Sequence, residues 1–131
     1  MFKHAPSRRH GFTLIELIVV LAIIALLASI VAPRYARSVD NAREASLKTS
    51  LNVMRDAIDK YVADKGNYPD SLQDLVRLGY LRQIPEDPMT GTRDSWQMLP
   101  PPPDSQDKGR MADVRSGARG RAQNGELLSS W

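Results

Sequence analysis

The strongest constraint on this chain is a long apolar stretch near its amino terminus. Residues 12–32 contain only three polar side chains, which belong to Thr13, Glu16 and Ser29. Within this stretch, residues 17–28 form an unbroken apolar run. As a helix the stretch would be about 31 Å long, which matches the ~30 Å hydrocarbon core of a bilayer. The sequence therefore predicts a transmembrane helix over residues 12–33.

The net charge of the chain lies in a short leader ahead of that stretch. Lys3, Arg8 and Arg9 are its only charged residues, and the other 15 basic and 15 acidic residues cancel. The positive-inside rule places this end in the cytoplasm, although Arg34 and Arg37 beyond the stretch reduce the asymmetry. The net charge of +3 therefore describes a leader and gives little support to nucleic-acid binding.

Residue types that carry chemistry are scarce. The chain has no cysteine, which excludes disulfides, Cys-ligated zinc and thiol nucleophiles. Its two histidines, His4 and His10, both precede the apolar stretch. The remaining residues show no nucleophile–base pair, metal-ligand cluster or phosphate-binding loop. We predict that the chain is not an enzyme and needs no cofactor.

Glu16 is the unusual residue of the apolar stretch. An acidic residue at the centre of a membrane helix costs about 2.5 to 3.5 kcal/mol, less near the interface, and such residues are usually paired. A cleaved secretory signal or an uncleaved signal anchor would explain the stretch but would leave Glu16 unexplained. We therefore expect a cationic partner for Glu16.

The segment from Gly11 to Glu16, followed by the apolar run and Pro33, resembles the class III signal of type IV pilins and type II secretion pseudopilins. The resemblance implies cleavage between Gly11 and Phe12 by a prepilin peptidase, and N-methylation of the new Phe12 amine. It also implies that Glu16 pairs with the Phe12 amine of a neighbouring subunit in a filament, which neutralises two buried charges. Pro33 predicts either a helix break at the membrane boundary or a continuous helix with a kink or a locally meltable segment.

A second helix pattern follows, over residues 34–65, and ends at Gly66. Its apolar residues recur every three or four positions and form one stripe: Val39, Leu47, Leu51, Met54, Ile58, Tyr61 and Val62. The charged face offers four pairs at i,i+4 spacing: Glu44–Lys48, Arg55–Asp59, Asp56–Lys60 and Lys60–Asp64. These charges form either a solvated face or contacts between subunits of a filament.

Residues 66–131 predict a small globular part. A short helix is expected after Asp70 or Ser71 as N-cap, with Gly79 beyond its end. A strand is expected over 96–99, where four prolines stop it, and a second strand around 111–114.

This region resembles the G-type major pseudopilins through three features in order: Gly66-Asn67-Tyr68-Pro69, Ile84-Pro85-Glu86-Asp87-Pro88 and the terminal Trp131. The resemblance implies an α+β fold in which a three-stranded antiparallel sheet packs on the long helix. The expected organisation is a cleaved leader over 1–11, the membrane helix over 12–33, the amphipathic helix over 34–65 and the globular part over 66–131.

The resemblance also implies calcium in an acidic carboxyl-terminal loop, but here the loop carries Arg119 and Arg121. Calcium takes 6–8 oxygen ligands, and only weak candidates are present: Asp113, Asn124 and Glu126. The arginines do not predict nucleic-acid binding either, because no aromatic residue lies among them for base stacking. Leu127, Leu128 and Trp131 are expected to dock onto the sheet.

Together these features predict a structural subunit of a type II secretion pseudopilus in the bacterial inner membrane, with its carboxyl-terminal part in the periplasm. Its expected partners are copies of itself, minor pseudopilins, the prepilin peptidase and an inner-membrane assembly platform. Such a filament would push folded proteins across the outer membrane. Two alternatives stay open: a minor type IV pilin or DNA-uptake pseudopilin, and a monomeric signal-anchored binding module.

Overall fold

The computed structural model describes residues 3–6 and 11–131, so most of the expected leader, with Arg8, Arg9 and His10, lies outside the described residues. The chain divides into two units, Met1–Ser38 and Val39–Trp131. The elements in chain order are α1 (Leu14–Lys65), α2 (Leu72–Arg77), β1 (Gln97–Leu99), β2 (Asp113–Arg115) and a 3₁₀ turn (Leu128–Ser130). A long amino-terminal helix with a small antiparallel sheet confirms the predicted α+β class.

In the first unit, the part of α1 that precedes Pro33 exposes its apolar side chains. Its large apolar residues from Leu17 to Val31 are 48% to 64% exposed. The helix continues through Pro33, so the break predicted at that residue is wrong. A proline removes one backbone donor and one helical hydrogen bond, whereas the bonds on either side of it can persist. The alternative of a continuous helix is the one observed.

In the second unit, the core forms along the predicted stripe of α1. Five α1 residues are at most 1% exposed: Leu47, Leu51, Met54, Ala57 and Ile58. They pack with buried residues from the rest of the unit, among them Leu75, Met111 and Val114. Tyr61 and Val62 are partly buried against the same core. The helix ends at Lys65, before Gly66 with φ of +74°, as predicted.

The short helix α2 begins and ends as its sequence predicts. The side chain of the N-cap Ser71 accepts a hydrogen bond from the backbone N–H of Asp74 at 3.2 Å. Leu72 and Leu75 point into the core, at 4% and 0% exposure. Beyond the last turn, Gly79 has φ of +85°, a conformation that favours glycine. These caps fix the length of α2 at six residues.

The sheet has two strands, so the third strand implied by the resemblance is absent from the described residues. β1 pairs antiparallel with β2, with Met98 opposite Val114. Pro100 follows β1 directly and ends it, because proline has no N–H for the ladder. After β2 the glycine-rich segment 116–127 forms only one isolated bridge, between Arg121 and Leu127.

A buried carboxylate fastens the turn before β1 to the segment after β2. Asp87 is 0% exposed; its Oδ1 atom accepts from the Met89 N–H at 2.8 Å and its Oδ2 atom from the Ser116 hydroxyl at 2.6 Å. Trp96 adds a second link by donating from Nε1 to the Pro85 carbonyl at 2.7 Å. These bonds connect loops that the short strands alone would hold weakly.

Candidate processing and assembly site

The peptide bond between Gly11 and Phe12 lies just ahead of the first helical turn. Residues 11–13 are outside the helix, which begins at Leu14. Both Gly11 and Phe12 are exposed, Phe12 at 89%, and among the described residues no atom beyond the two chain neighbours of Gly11 lies within 4 Å of where its side chain would begin. A peptidase binds its substrate as extended backbone, and this exposed non-helical segment is accessible to one. The cleavage expected between Gly11 and Phe12 stays a prediction.

Glu16 takes part in a reciprocal cap at the start of α1. The Thr13 hydroxyl accepts from the backbone N–H of Glu16 at 3.1 Å, and Glu16 Oε2 accepts from the backbone N–H of Thr13 at 3.3 Å. This is a capping box, which satisfies two backbone donors that a helix start leaves free. The sequence reasoning missed it, although threonine followed three residues later by glutamate is its usual signature.

The side chain of Glu16 lies in otherwise apolar surroundings. It lines a shallow groove together with Phe12, Ile15, Val19 and Val20. A carboxylate that loses its water in such a place is costly unless a cation or hydrogen-bond donors pair with it. In the single chain its hydrogen-bond donor is the Thr13 N–H, and the neighbouring Phe12 amine proposed for a filament stays a prediction.

The first part of α1 has the properties of a membrane span. It is long and apolar enough to cross a bilayer, and in residues 3–6 and 11–131 no other helix meets that condition. Its most apolar window has no buried residue. A surface of this kind is stable in lipid or against other apolar helices, and not in water.

The four helical ion pairs predicted on α1 form only in part. Lys60 and Asp56 pair at 2.8 Å, and this hydrogen bond raises the pKa of Lys60 above its ordinary value. Arg55 instead reaches β2, where Nε donates to Asp113 Oδ1 at 2.9 Å and Nη2 to the Val114 carbonyl at 3.0 Å. The charged face of α1 is therefore only partly solvated, because Arg55 on it binds the globular part.

Two further α1 acids also bind groups that are distant in sequence. Glu44 Oε1 accepts from the backbone N–H of Gln123 at 2.7 Å. Asp64 accepts from the Tyr80 hydroxyl at 2.8 Å, and this hydrogen bond raises the pKa of Tyr80. Both acids thus hold loops of the second unit against α1.

The three calcium candidates are already engaged by donors of the protein. Asp113 belongs to β2 and pairs with Arg55, whereas Asn124 Oδ1 accepts from the Glu126 N–H at 3.0 Å. Glu126 Oε2 accepts from Trp131 Nε1, also at 3.0 Å. Among the described residues no three His, Cys, Asp or Glu side chains form a group that could hold a metal ion.

The carboxyl-terminal residues dock, but against the helix side of the core. Leu128 is 5% exposed within the core, and Trp131 packs partly buried against it. The ammonium of Lys48 on α1 lies 4.4 Å from the Trp131 ring centroid, within the range of a cation–π contact. Leu127 is 47% exposed, so the docking predicted for it is wrong.

Comparison with known proteins gives one family assignment over the amino-terminal segment. Residues 6–32 match the family model described as the prokaryotic N-terminal methylation motif. The matched range includes Gly11, Phe12 and Glu16, the residues singled out from the sequence. It ends just before Pro33.

Curated relatives match over most of the chain and share one name, type II secretion system core protein G. The protein of Klebsiella pneumoniae is 31% identical in an alignment 111 positions long that covers 72% of this chain and 77% of the relative. That of Pectobacterium carotovorum subsp. carotovorum is 32% identical, over 76% of this chain and 72% of the relative. The Escherichia coli K12 protein is 30% identical, over 64% and 69%. No solved structure matches significantly.

Proposed function

The chain belongs to the family of the type II secretion system core protein G, and we propose that it is the major structural subunit of a type II secretion pseudopilus. The observation that carries the proposal is the order of features at the start of α1. A non-helical Gly11–Phe12 bond comes first, Glu16 follows in the first turn, and an exposed apolar helix continues from it.

The first step of the proposed function is processing. The prepilin peptidase cleaves between Gly11 and Phe12 on the cytoplasmic side, and the new Phe12 amine is N-methylated. Cleavage removes the three basic leader residues, Lys3, Arg8 and Arg9, and leaves one ammonium at the start of an apolar helix. The chain is thus a membrane-anchored substrate of enzymes and performs no catalysis itself.

The second step is assembly. The Glu16 carboxylate pairs with the Phe12 ammonium of a neighbouring subunit, and the apolar surfaces of the helices exchange lipid for one another. An out-of-register neighbour would leave a lone carboxylate in an apolar bundle, which costs several kcal/mol. The ion pair therefore supports register more than it supports stability. Minor pseudopilins and an inner-membrane assembly platform are the other partners of this step.

The third step is mechanical. The carboxyl-terminal part lies in the periplasm, where the growing filament pushes folded proteins through an outer-membrane channel. An exposed apolar helix that must be either in lipid or among its copies suits a subunit that moves from one to the other. No cofactor belongs to this proposal.

Mass analysis of the chain tests the processing step directly. The full chain is produced in cells with and without prepilin peptidase, extracted from the membrane and measured intact. With the peptidase, we expect a chain that begins at Phe12 and carries one additional methyl group. Without it, the leader should remain attached. A chain still joined to Gly11 in the presence of active peptidase would overturn the proposal in favour of a signal-anchored binding module.

Secretion distinguishes a major subunit from the alternative filament types. A strain that lacks its own core protein G but keeps the other components receives this chain, and secreted folded substrate is measured in the medium. We expect secretion to be restored, and overexpression to give long surface fibres. Restored DNA uptake without secretion would instead favour a DNA-uptake pseudopilin.

A further inference from the structure

The carboxyl-terminal loop does not offer a calcium ion the ligands it needs. Between residues 116 and 126 the only acidic side chain is Glu126, whereas Arg119 and Arg121 add two positive charges. Glu126 already accepts from Trp131, and Asn124 from the Glu126 backbone. Calcium needs six to eight oxygens with several carboxylates among them. The donor set therefore does not fit the ion that the resemblance implies.

Contacts within the loop close it without an ion. Arg121 Nη1 donates to the Gly125 carbonyl at 2.9 Å, and the Ala122 N–H donates to the Glu126 carbonyl at 2.7 Å. The Gly125 N–H donates to the Ala122 carbonyl at 2.9 Å. A guanidinium carries its charge permanently, so Arg121 places a positive charge on the Gly125 carbonyl without a metal ion.

Contacts to α1 fasten the closed loop to the core. Glu44 Oε1 accepts from the Gln123 N–H at 2.7 Å, which is a charge-assisted bond. One helical turn further along, the Lys48 ammonium lies against the Trp131 ring. Leu128 lies between Gln123 and Trp131 in the sequence, and its side chain is buried in the core at 5% exposure. The segment is thus held against α1 at Gln123 and at Trp131.

We propose that residues 120–131 form a metal-independent clasp, which Arg121 closes internally and which Glu44 and Lys48 fasten to α1. We refer to residues 120–131 as the C-terminal clasp. Because its acceptors are satisfied by protein donors, the clasp stays closed whether or not calcium is present. This inference concerns the folded subunit alone and stands or falls separately from processing and assembly.

Hydrogen exchange on the processed full chain in detergent micelles tests the proposal. Amides of the C-terminal clasp are followed by mass spectrometry, once with excess EDTA and once with millimolar calcium chloride. We expect equal exchange rates and equal thermal midpoints in the two conditions. Slower exchange or a higher midpoint with calcium would overturn the proposal.

Two substitutions test the named contacts. Arg121→Gln and Glu44→Ala should each speed exchange in the C-terminal clasp about fivefold, because each removes one charge-assisted hydrogen bond that is exposed to solvent. Arg119→Gln is the matched control, since it removes the same charge from the same loop, and the exposed Arg119 side chain has no hydrogen bond or ion pair with the part of the chain that the structure describes. Equal exchange in Arg121→Gln and Arg119→Gln would contradict the role of Arg121. If Arg121→Gln unfolds the chain as a whole, Glu44→Ala still tests how the C-terminal clasp is fastened to α1, and exchange at the parent's rate would contradict the proposal.

Discussion

At the residue scale, Arg55 connects α1 to the sheet. Its guanidinium binds both the Asp113 carboxylate and the Val114 carbonyl, and the side chains of Arg55 and Asp113 are 35% and 40% exposed. Partial exposure weakens the ion pair through solvent screening, whereas the hydrogen bond to the carbonyl adds to it. Arg55 therefore contributes modestly but specifically to the position of β2.

Arg55→Gln should lower the free energy of unfolding by about 1 kcal/mol, because one side chain loses two hydrogen bonds in a half-exposed place. Urea unfolding of the processed chain in micelles, followed by the fluorescence of Trp96 and Trp131, measures this loss. Arg43→Gln is the control, since Arg43 lies on the same helix and is exposed. Equal midpoints for the two variants would show that the Arg55 contacts add nothing to stability.

Tyr80 makes the stability of the second unit depend on pH in the alkaline range. Its hydrogen bond to Asp64 raises its pKa above the ordinary 10.0, so the folded state holds the phenol proton more tightly than the unfolded state. The stabilisation is complete below pH 10 and is lost as the pH rises through the folded pKa. Thermal midpoints should therefore fall more steeply above about pH 10 in the parent than in Tyr80→Phe. Tyr35→Phe, at a residue that is 71% exposed, should behave as the parent does.

Charged residues on α1 also show where prediction from sequence ends. The i,i+4 spacing identified four possible pairs, and the pair of Asp56 with Lys60 forms. Glu44 and Arg55 bind groups 79 and 58 residues away instead. Spacing along a helix describes only local neighbours, and a partner from another element can displace them at little cost because such local pairs are weak. The sequence of the helix does not indicate which distant groups Glu44 and Arg55 will bind.

At the scale of elements, the apolar stripe of α1 was predictable because burial requires it. Residues 47, 51, 54 and 58 lie on one side of a helix, and any globular part that folds must cover them. Ser71 and the two helix-ending glycines were predictable for an equally local reason, since caps and left-handed positions restrict residue type. The number of strands was not predictable, because a strand of three residues forms only where another segment comes close enough to pair with it.

Leu51→Ala should cost about 2 to 5 kcal/mol, since it leaves a cavity in a core where Leu51 is 1% exposed. Val53→Ala is a matched control two residues away on the same helix, where the side chain is 50% exposed, and its effect should stay within about 0.5 kcal/mol. Chemical denaturation of both variants gives the comparison. Similar losses in the two would mean that the stripe is not the core.

At the scale of the whole molecule, the two parts of α1 have different requirements. The second part buries its stripe within the chain, whereas the first part exposes apolar residues throughout and needs lipid or other helices. Sequence composition predicted this difference, because an apolar run without a polar face cannot be amphipathic. The capping box at Thr13 and Glu16 was missed because the same residues also carried the family signal.

Glu16→Gln separates the charge of this residue from its role in the helix start. Glutamine serves in a capping box as glutamate does, so the first turn of α1 should persist. What the variant lacks is the negative charge, and the ammonium of a neighbouring Phe12 would then stay unpaired in an apolar bundle at a cost of several kcal/mol. We expect the variant to enter the membrane and to be processed, but to be absent from sheared fibres.

The measurement compares the fraction of processed subunits in sheared fibres for the parent, Glu16→Gln and the control Asp40→Asn. The control removes one carboxylate from an exposed residue of the same helix beyond the apolar stretch, and should assemble as the parent does.

If assembly depends on a pair between subunits, then cysteines introduced near Phe12 and Glu16 should cross-link neighbouring copies that keep both residues. The chain has no cysteine of its own that could interfere. Normal fibres from Glu16→Gln would show that apolar packing alone sets the register.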